Sequence, residues 1–134
     1  MFQSLFGLID LSIAALLIRL GLGGIFAIHG YPKLKNPGAS GQWLKSMGIP
    51  SGFGLFAGVV ELFGGIALIL GIFTPIIAVL SALWMLSTTW LAATKIKKKF
   101  VGGWEFDIAL MILALALALI GGGIFSLDRL ILRL

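Results

Sequence analysis

Two ionisable side chains of opposite sign sit in stretches that are otherwise soluble in lipid: Arg19 within residues 11–28 and Glu61 within residues 53–73. A charge near a bilayer centre costs at least about 2.5–3.5 kcal/mol, so such a residue needs a partner or a polar cavity. Ala57, Gly58, Gly64 and Gly65 lie three or four residues from Glu61, and Ala15 and Gly23 have the same spacing from Arg19. Small residues mark where membrane helices touch, so both charges are predicted to point into the protein. Counted from the lysine-bearing side of the membrane, Glu61 comes out roughly 12 Å deep and Arg19 roughly 15 Å deep at about 1.5 Å per helical residue. The spacing therefore predicts an Arg19–Glu61 pair. Such a pair either floors a functional pocket or serves as a structural device that fixes helix register.

Further polar groups collect toward the lysine side. His29 and Lys33 follow the first apolar stretch, Glu105 and Asp107 open the last one, and Thr88 and Thr89 lie near Trp84 and Trp90. A buried carboxylate with a second carboxylate or His29 as relay can move protons, and an arginine can stabilise an oxygen that becomes anionic. Trp84 or Phe26 can pack against a flat ring. This set suits proton-coupled chemistry on a lipophilic carrier such as a quinone. Glu105 and Asp107 are about 200° apart on a helix, so only one of them is expected to face inward. The plainer readings are His29 as an interfacial residue and the tryptophans as membrane-interface anchors.

Several chemistries drop out. With no cysteine in the chain, disulfide frameworks, thiolate metal sites and a thiol relay are excluded. The single histidine cannot supply the two axial imidazoles of a membrane b-type haem. No HExxH or Walker-type phosphate loop is present, and no metal site is expected. Gly21-Leu-Gly23-Gly24 lies inside a predicted span, where glycines serve helix packing. The net charge of +5 is not a nucleic-acid signal, because all the lysines fall between apolar stretches.

The elements that must position these residues are membrane helices. The chain has 134 residues, 60% hydrophobic and 11% charged, with a mean hydropathy of +1.14. Four apolar stretches approach the roughly 17–25 residues that a span requires, which predicts one transmembrane domain with spans over about 11–29, 53–73, 75–94 and 104–124. Short connections make successive helices antiparallel, so the expected fold is all-α, an up-down four-helix bundle with short interfacial helices. Residues 1–10 are expected to form one such helix. A second is expected between Ser40, as its cap, and Gly48. Lys33, Lys35 and Lys45 in the first loop and Lys95, Lys97, Lys98 and Lys99 in the third outnumber Arg129 and Arg133 near the C-terminus. The positive-inside rule then places loops 30–52 and 95–103 in the cytoplasm of a multi-pass cell-membrane protein.

An ordered set of short pieces resembles the DoxX family of small four-span membrane proteins. These are Arg19-Leu-Gly-Leu-Gly23, His29-Gly-Tyr-Pro-Lys33-Leu, Gly48-Ile-Pro50, Val60-Glu61-Leu-Phe-Gly64-Gly65, Gly71-Ile-Phe-Thr74, Gly103-Trp-Glu105-Phe and Ser126-Leu-Asp128. The resemblance covers nearly the whole chain. It implies a membrane component of an oxidoreductase system, and it selects Arg19, His29, Lys33, Glu61 and Glu105, hence Glu105 over Asp107. On that basis Glu61, Glu105 and His29 are the expected proton-handling residues, and Arg19, Glu61, Lys33 and Trp84 the expected ligand contacts. No intrinsic cofactor is expected beyond a bound quinone. Electrons would come from a partner redox subunit, because the chain carries no thiol couple. A homo-oligomer stays open, as do two other readings: a non-enzymatic scaffold held by the Arg19–Glu61 pair, and a small proton-coupled carrier.

Overall fold

The computed structural model describes residues 2–134. Met1, the first position of the segment expected to lie in the interface, falls outside the described residues. The described chain is all-helical. Its long elements are α1 (Phe2–Lys35), α3 (Phe53–Leu70), α4 (Thr74–Thr94) and α5 (Glu105–Ile120), with α2 (Pro37–Ser46) and α6 (Leu127–Leu130) as short ones. Counting Phe100–Trp104 with α5, four helical segments are long and apolar enough to cross a membrane. Their outer faces carry Leu17, Phe63, Leu80, Leu86 and Leu119, all exposed, which lipid solvates and water would not.

Helix α1 differs from expectation at both ends. It runs for 34 residues without a break, about 50 Å at the α-helical rise, against a hydrocarbon core of about 30 Å. Residues 2–10 therefore form no separate helix but continue α1, since nothing between Phe2 and Leu11 breaks it. The surplus length carries part of α1 beyond the hydrocarbon core. At the other end the helix does not stop at His29. Pro32 sits inside the final turns, where it forfeits one backbone hydrogen bond but has a helix-compatible φ. The helix ends before Pro37, whose ring forces Asn36 out of the helical region, to φ −137° and ψ 74°. Asn36 then caps α2, its side-chain oxygen accepting from the Ala39 amide at 3.3 Å. The second interfacial helix thus exists, but it starts at Pro37 and is capped by Asn36, not Ser40.

Helices α1 and α3 form one closely packed antiparallel pair, and α4 with α5 forms the other. The α1–α3 contact is backbone on backbone. A Cβ on Gly23 would come within 2.6 Å of the Gly65 carbonyl oxygen, one on Gly65 within 2.5 Å of the Gly23 oxygen, and one on Gly30 within 2.3 Å of the Leu62 nitrogen. Glycine removes the side chain at each crossing, as close helix approach in lipid requires. The same contacts fix the register, with Gly23 opposite Gly65 and Lys33 opposite Gly58. Leu22, Phe26, Leu68, Ala78, Met85 and Leu117 fill the core between the pairs.

Candidate functional site

The α1–α3 register places Arg19 and Glu61 at different levels, and the predicted pair does not form. Because α1 extends to Lys35, Arg19 lies about 24 Å from its lysine end, not 15 Å. It meets the far end of α3. Its guanidinium donates through Nε to Leu68 O at 3.0 Å and through Nη2 to Ile69 O at 2.7 Å. Through Nη1 it donates to Gly122 O, beyond α5, at 3.1 Å. Carbonyls in a last helical turn have no intrahelical donor and lie at the negative end of the helix dipole. Arg19, 1% exposed, is thus a cap on α3 and a clasp to the segment after α5. The structural-pair form of the scaffold reading fails on this geometry.

Asp128 completes that end of the bundle. Its carboxylate accepts from the amides of Phe73 (2.5 Å) and Thr74 (2.8 Å), the free N–H groups that start α4. Its own amide donates to Gly71 O at 2.9 Å. Phe73 holds the left-handed conformation at φ 48° and offers no capping side chain, so the C-terminal segment supplies the cap. Sequence reasoning noted Ser126-Leu-Asp128 but gave it no role. A capping acid 54 residues away from Thr74 leaves no local signal.

Glu61 is bonded elsewhere. One carboxylate oxygen, Oε2, forms an ion pair with Lys33 Nζ, and the other, Oε1, accepts from Trp84 Nε1 at 3.1 Å. The Glu61 side chain is 7% exposed and that of Lys33 30%, so the acid is enclosed while the amine reaches toward the surface. Each partner is held by its element. The final turns of α1, continued through Pro32, carry Lys33 over Gly58, where a Cβ would lie 3.0 Å from Lys33 Cβ. The Trp84 indole packs edge-on to Phe56, with ring centroids 5.8 Å apart. Both carboxylate oxygens are satisfied, as a buried charge requires.

This triad closes the inner end of a cavity of about 440 Å³ bounded by α2, α3, α4 and the end of α1. That volume lies within the range of small-molecule sites, which are mostly apolar with a few placed polar groups. Phe53, Ala57, Leu44 and Leu91 contribute apolar wall, and Lys33 and Glu61 are the only charged residues in the lining.

Of the residues singled out from the sequence, the structure brings together Glu61, Lys33 and Trp84. Arg19 is separate, and Phe26 is buried in the core. His29 is exposed on α1. Glu105 closes the turn before α5, its Oε1 accepting from the Gly102 amide at 2.7 Å. It does not line the cavity. The other acid of that helix, Asp107, lies beside the Thr88 side chain with Lys98 and His29 in electrostatic range. The acid turned toward α4 is thus Asp107, and both acids are half-buried. Among the described residues, no three histidine or carboxylate side chains gather as a metal site.

Comparison with known proteins agrees with this architecture. The chain is 33% identical over 121 residues to a Bacillus subtilis (strain 168) protein named "Putative oxidoreductase CatD", covering 90% of this chain and 89% of the relative. It is 29% identical over 123 residues to "Inner membrane protein YphA" of Escherichia coli (strain K12), covering 85% and 87%. No solved structure matches. The DoxX family profile matches residues 14–94, a segment that contains Arg19, Lys33, Glu61 and Trp84, and the chain is accordingly a multi-pass membrane protein that belongs to the DoxX family.

Proposed function

We propose that this protein is the membrane subunit of an oxidoreductase system and binds a quinone, or a carrier of similar chemistry, in the cavity that ends at Glu61. One observation carries the reading: an apolar cavity of about 440 Å³ whose only charges are the Lys33–Glu61 pair at its inner end. The name of the Bacillus subtilis relative supports the oxidoreductase class.

Reduction of a quinone to a quinol takes two electrons and two protons. The electrons are assigned to a partner redox subunit, since the chain has no cysteine couple. The protein's own residues bind and handle protons. Lys33 Nζ uses one donor on Glu61 and keeps others free for a ring carbonyl. A proton passed from Nζ to the ring oxygen it holds is replaced from the surface, toward which the partly exposed Lys33 reaches. The opposite ring oxygen, toward the open side of the cavity, takes the second proton from interfacial water. Glu61 keeps the amine charged and aimed, and Trp84 fixes the carboxylate. Lys33 thereby takes the relay role that sequence reasoning gave to His29 and Glu105, and the carbonyl-bound Arg19 is released from the ligand set. Loops 30–52 and 95–103 are proposed to face the cytoplasm. The cysteine-free chain makes this testable by labelling single introduced cysteines from either side.

The binding test uses purified protein in nanodiscs with a photoactivatable quinone. Covalent labelling of α3 and α4, lost in Lys33→Met and Glu61→Gln but not in Gln42→Ala, is the expected result. Wild-type protein that takes up no quinone would overturn the reading and return the chain to the scaffold class.

A further inference from the structure

We infer that the cavity is reached from the lipid, through the gap between α2 and α4, and that its ligand is a quinone with a polyprenyl tail and not a water-soluble one. The inference rests on the quinone reading above and adds to it the route and the tail.

The first observation is where the cavity lies. Its inner end, at Glu61, is about 12 Å along α3 from Phe53, while Trp43 and Trp90 stand at its outer part, at the headgroup depth that tryptophan favours. The cavity thus runs from the interface into the hydrocarbon layer. Both tryptophans remain half exposed, at 50% and 56%, as residues at an opening are.

The second observation is how α2 is held. It packs on α1 and α3, and the contact with α3 is as close as backbones allow. A Cβ on Gly54 would stand 2.7 Å from the Gly41 nitrogen, and one on Gly41 2.8 Å from the Ser51 oxygen. That side is sealed. Trp43, two positions and about 200° round α2 from Gly41, lines the cavity together with Ser87 and Leu91 of α4. The unsealed side is therefore the α2–α4 gap.

The third observation is the distribution of charge. Lys33 and Glu61 sit at the inner end, and every other lining residue is uncharged, with Trp43, Trp90 and Leu91 toward the opening beside the hydroxyls of Ser40 and Ser87. A polar headgroup finds its partners deep and its apolar continuation finds them outward. About 440 Å³ accommodates a ring and its first isoprene units. The rest of a long tail has to leave through the gap, where lipid receives it.

The test uses the full chain in nanodiscs with two probes, 2-methyl-1,4-naphthoquinone and the same ring bearing a four-isoprene tail. Ser87→Trp narrows the gap; it gives up the Ser87 hydroxyl bond to the Trp84 backbone carbonyl but leaves the Lys33–Glu61 pair and the Trp84 Nε1–Glu61 bond in place. It is expected to weaken the tailed probe by at least about tenfold while leaving the tail-less one within about twofold. As a measurement independent of any variant, a diazirine at the far end of the tail is expected to label α2 and α4 of the wild-type protein near Trp43 and Trp90. Equal effects of Ser87→Trp on both probes, no effect on either, or a tail label on α5 or the 95–99 lysine segment would overturn the lateral route. Wild-type protein that binds the tail-less ring but not the tailed one would overturn the tail and leave the quinone reading standing. Binding of neither probe would remove both.

Discussion

Breaking the Lys33–Glu61 pair separates this geometry from the one the sequence suggests. In Lys33→Met the Glu61 carboxylate, 7% exposed, keeps only the Trp84 N–H. Removing one partner of a fully buried pair costs about 3–5 kcal/mol. Lys33 is 30% exposed and part of its interaction is screened, so the expected loss is about 2–3 kcal/mol. Glu61→Gln leaves an amine that can turn toward water, and about 1 kcal/mol is expected. In the double variant no charge is stranded, so the two losses are not additive, with a coupling of about 1–2 kcal/mol. The assay is reversible unfolding in mixed detergent micelles. A parallel cycle with Arg19→Met and Glu61→Gln is expected to be additive within about 0.5 kcal/mol, since the Leu68 carbonyl that Arg19 caps lies seven residues, about 10 Å, along α3 from Glu61. Additivity in the lysine cycle, or coupling in the arginine cycle, would refute the assignment.

Four other substitutions probe the site and the frame around it. Gly65→Ala sets a methyl group 2.5 Å from the Gly23 oxygen and should destabilise by about 1–3 kcal/mol. Gly64→Ala, with nothing within 4 Å of the added carbon, should stay within about 0.5 kcal/mol in the same unfolding assay. Asp128→Ala removes both acceptors at the start of α4 and should cost about 1–2 kcal/mol, accompanied by faster proteolysis at the α3–α4 turn. Trp84→Phe keeps an aromatic ring, though a smaller one, and deletes the N–H to Glu61. It should cost about 1 kcal/mol in stability and lower quinone affinity severalfold in the photolabelling assay, with no change in expression.

How far the site was legible can be followed residue by residue. Glu61 announces itself as a carboxylate among leucines and glycines, and Trp84 as an aromatic near the threonines toward the lysine side. Lys33 was expected as a ligand contact from the family resemblance but as a loop lysine, not as the partner of Glu61, because His29-Gly30-Tyr31-Pro32 reads as a helix end. The helix continues because Pro32 falls where its missing N–H costs one bond and its fixed φ is helical. That extension puts Arg19 six residues farther from the lysine end of its helix than expected. It changes which carbonyls or carboxylates the arginine can reach.

The sequence by itself determined the solvent and the inventory: apolar stretches long enough to span lipid, two charges that could not be left alone there, and glycines where helices would touch. Those follow from composition and period, because burying a charge or an unpaired backbone group in hydrocarbon is costly whatever the partners turn out to be. Only the tertiary structure decided the partners. Charge attraction between Arg19 and Glu61 reaches a few ångströms, whereas the Gly23–Gly65 and Gly30–Leu62 backbone contacts fix the sliding position of α1 on α3 to within a fraction of a turn. With that register set, Arg19 meets the end of a helix and Glu61 meets Lys33. One charge holds the bundle together, and the other charges a cavity.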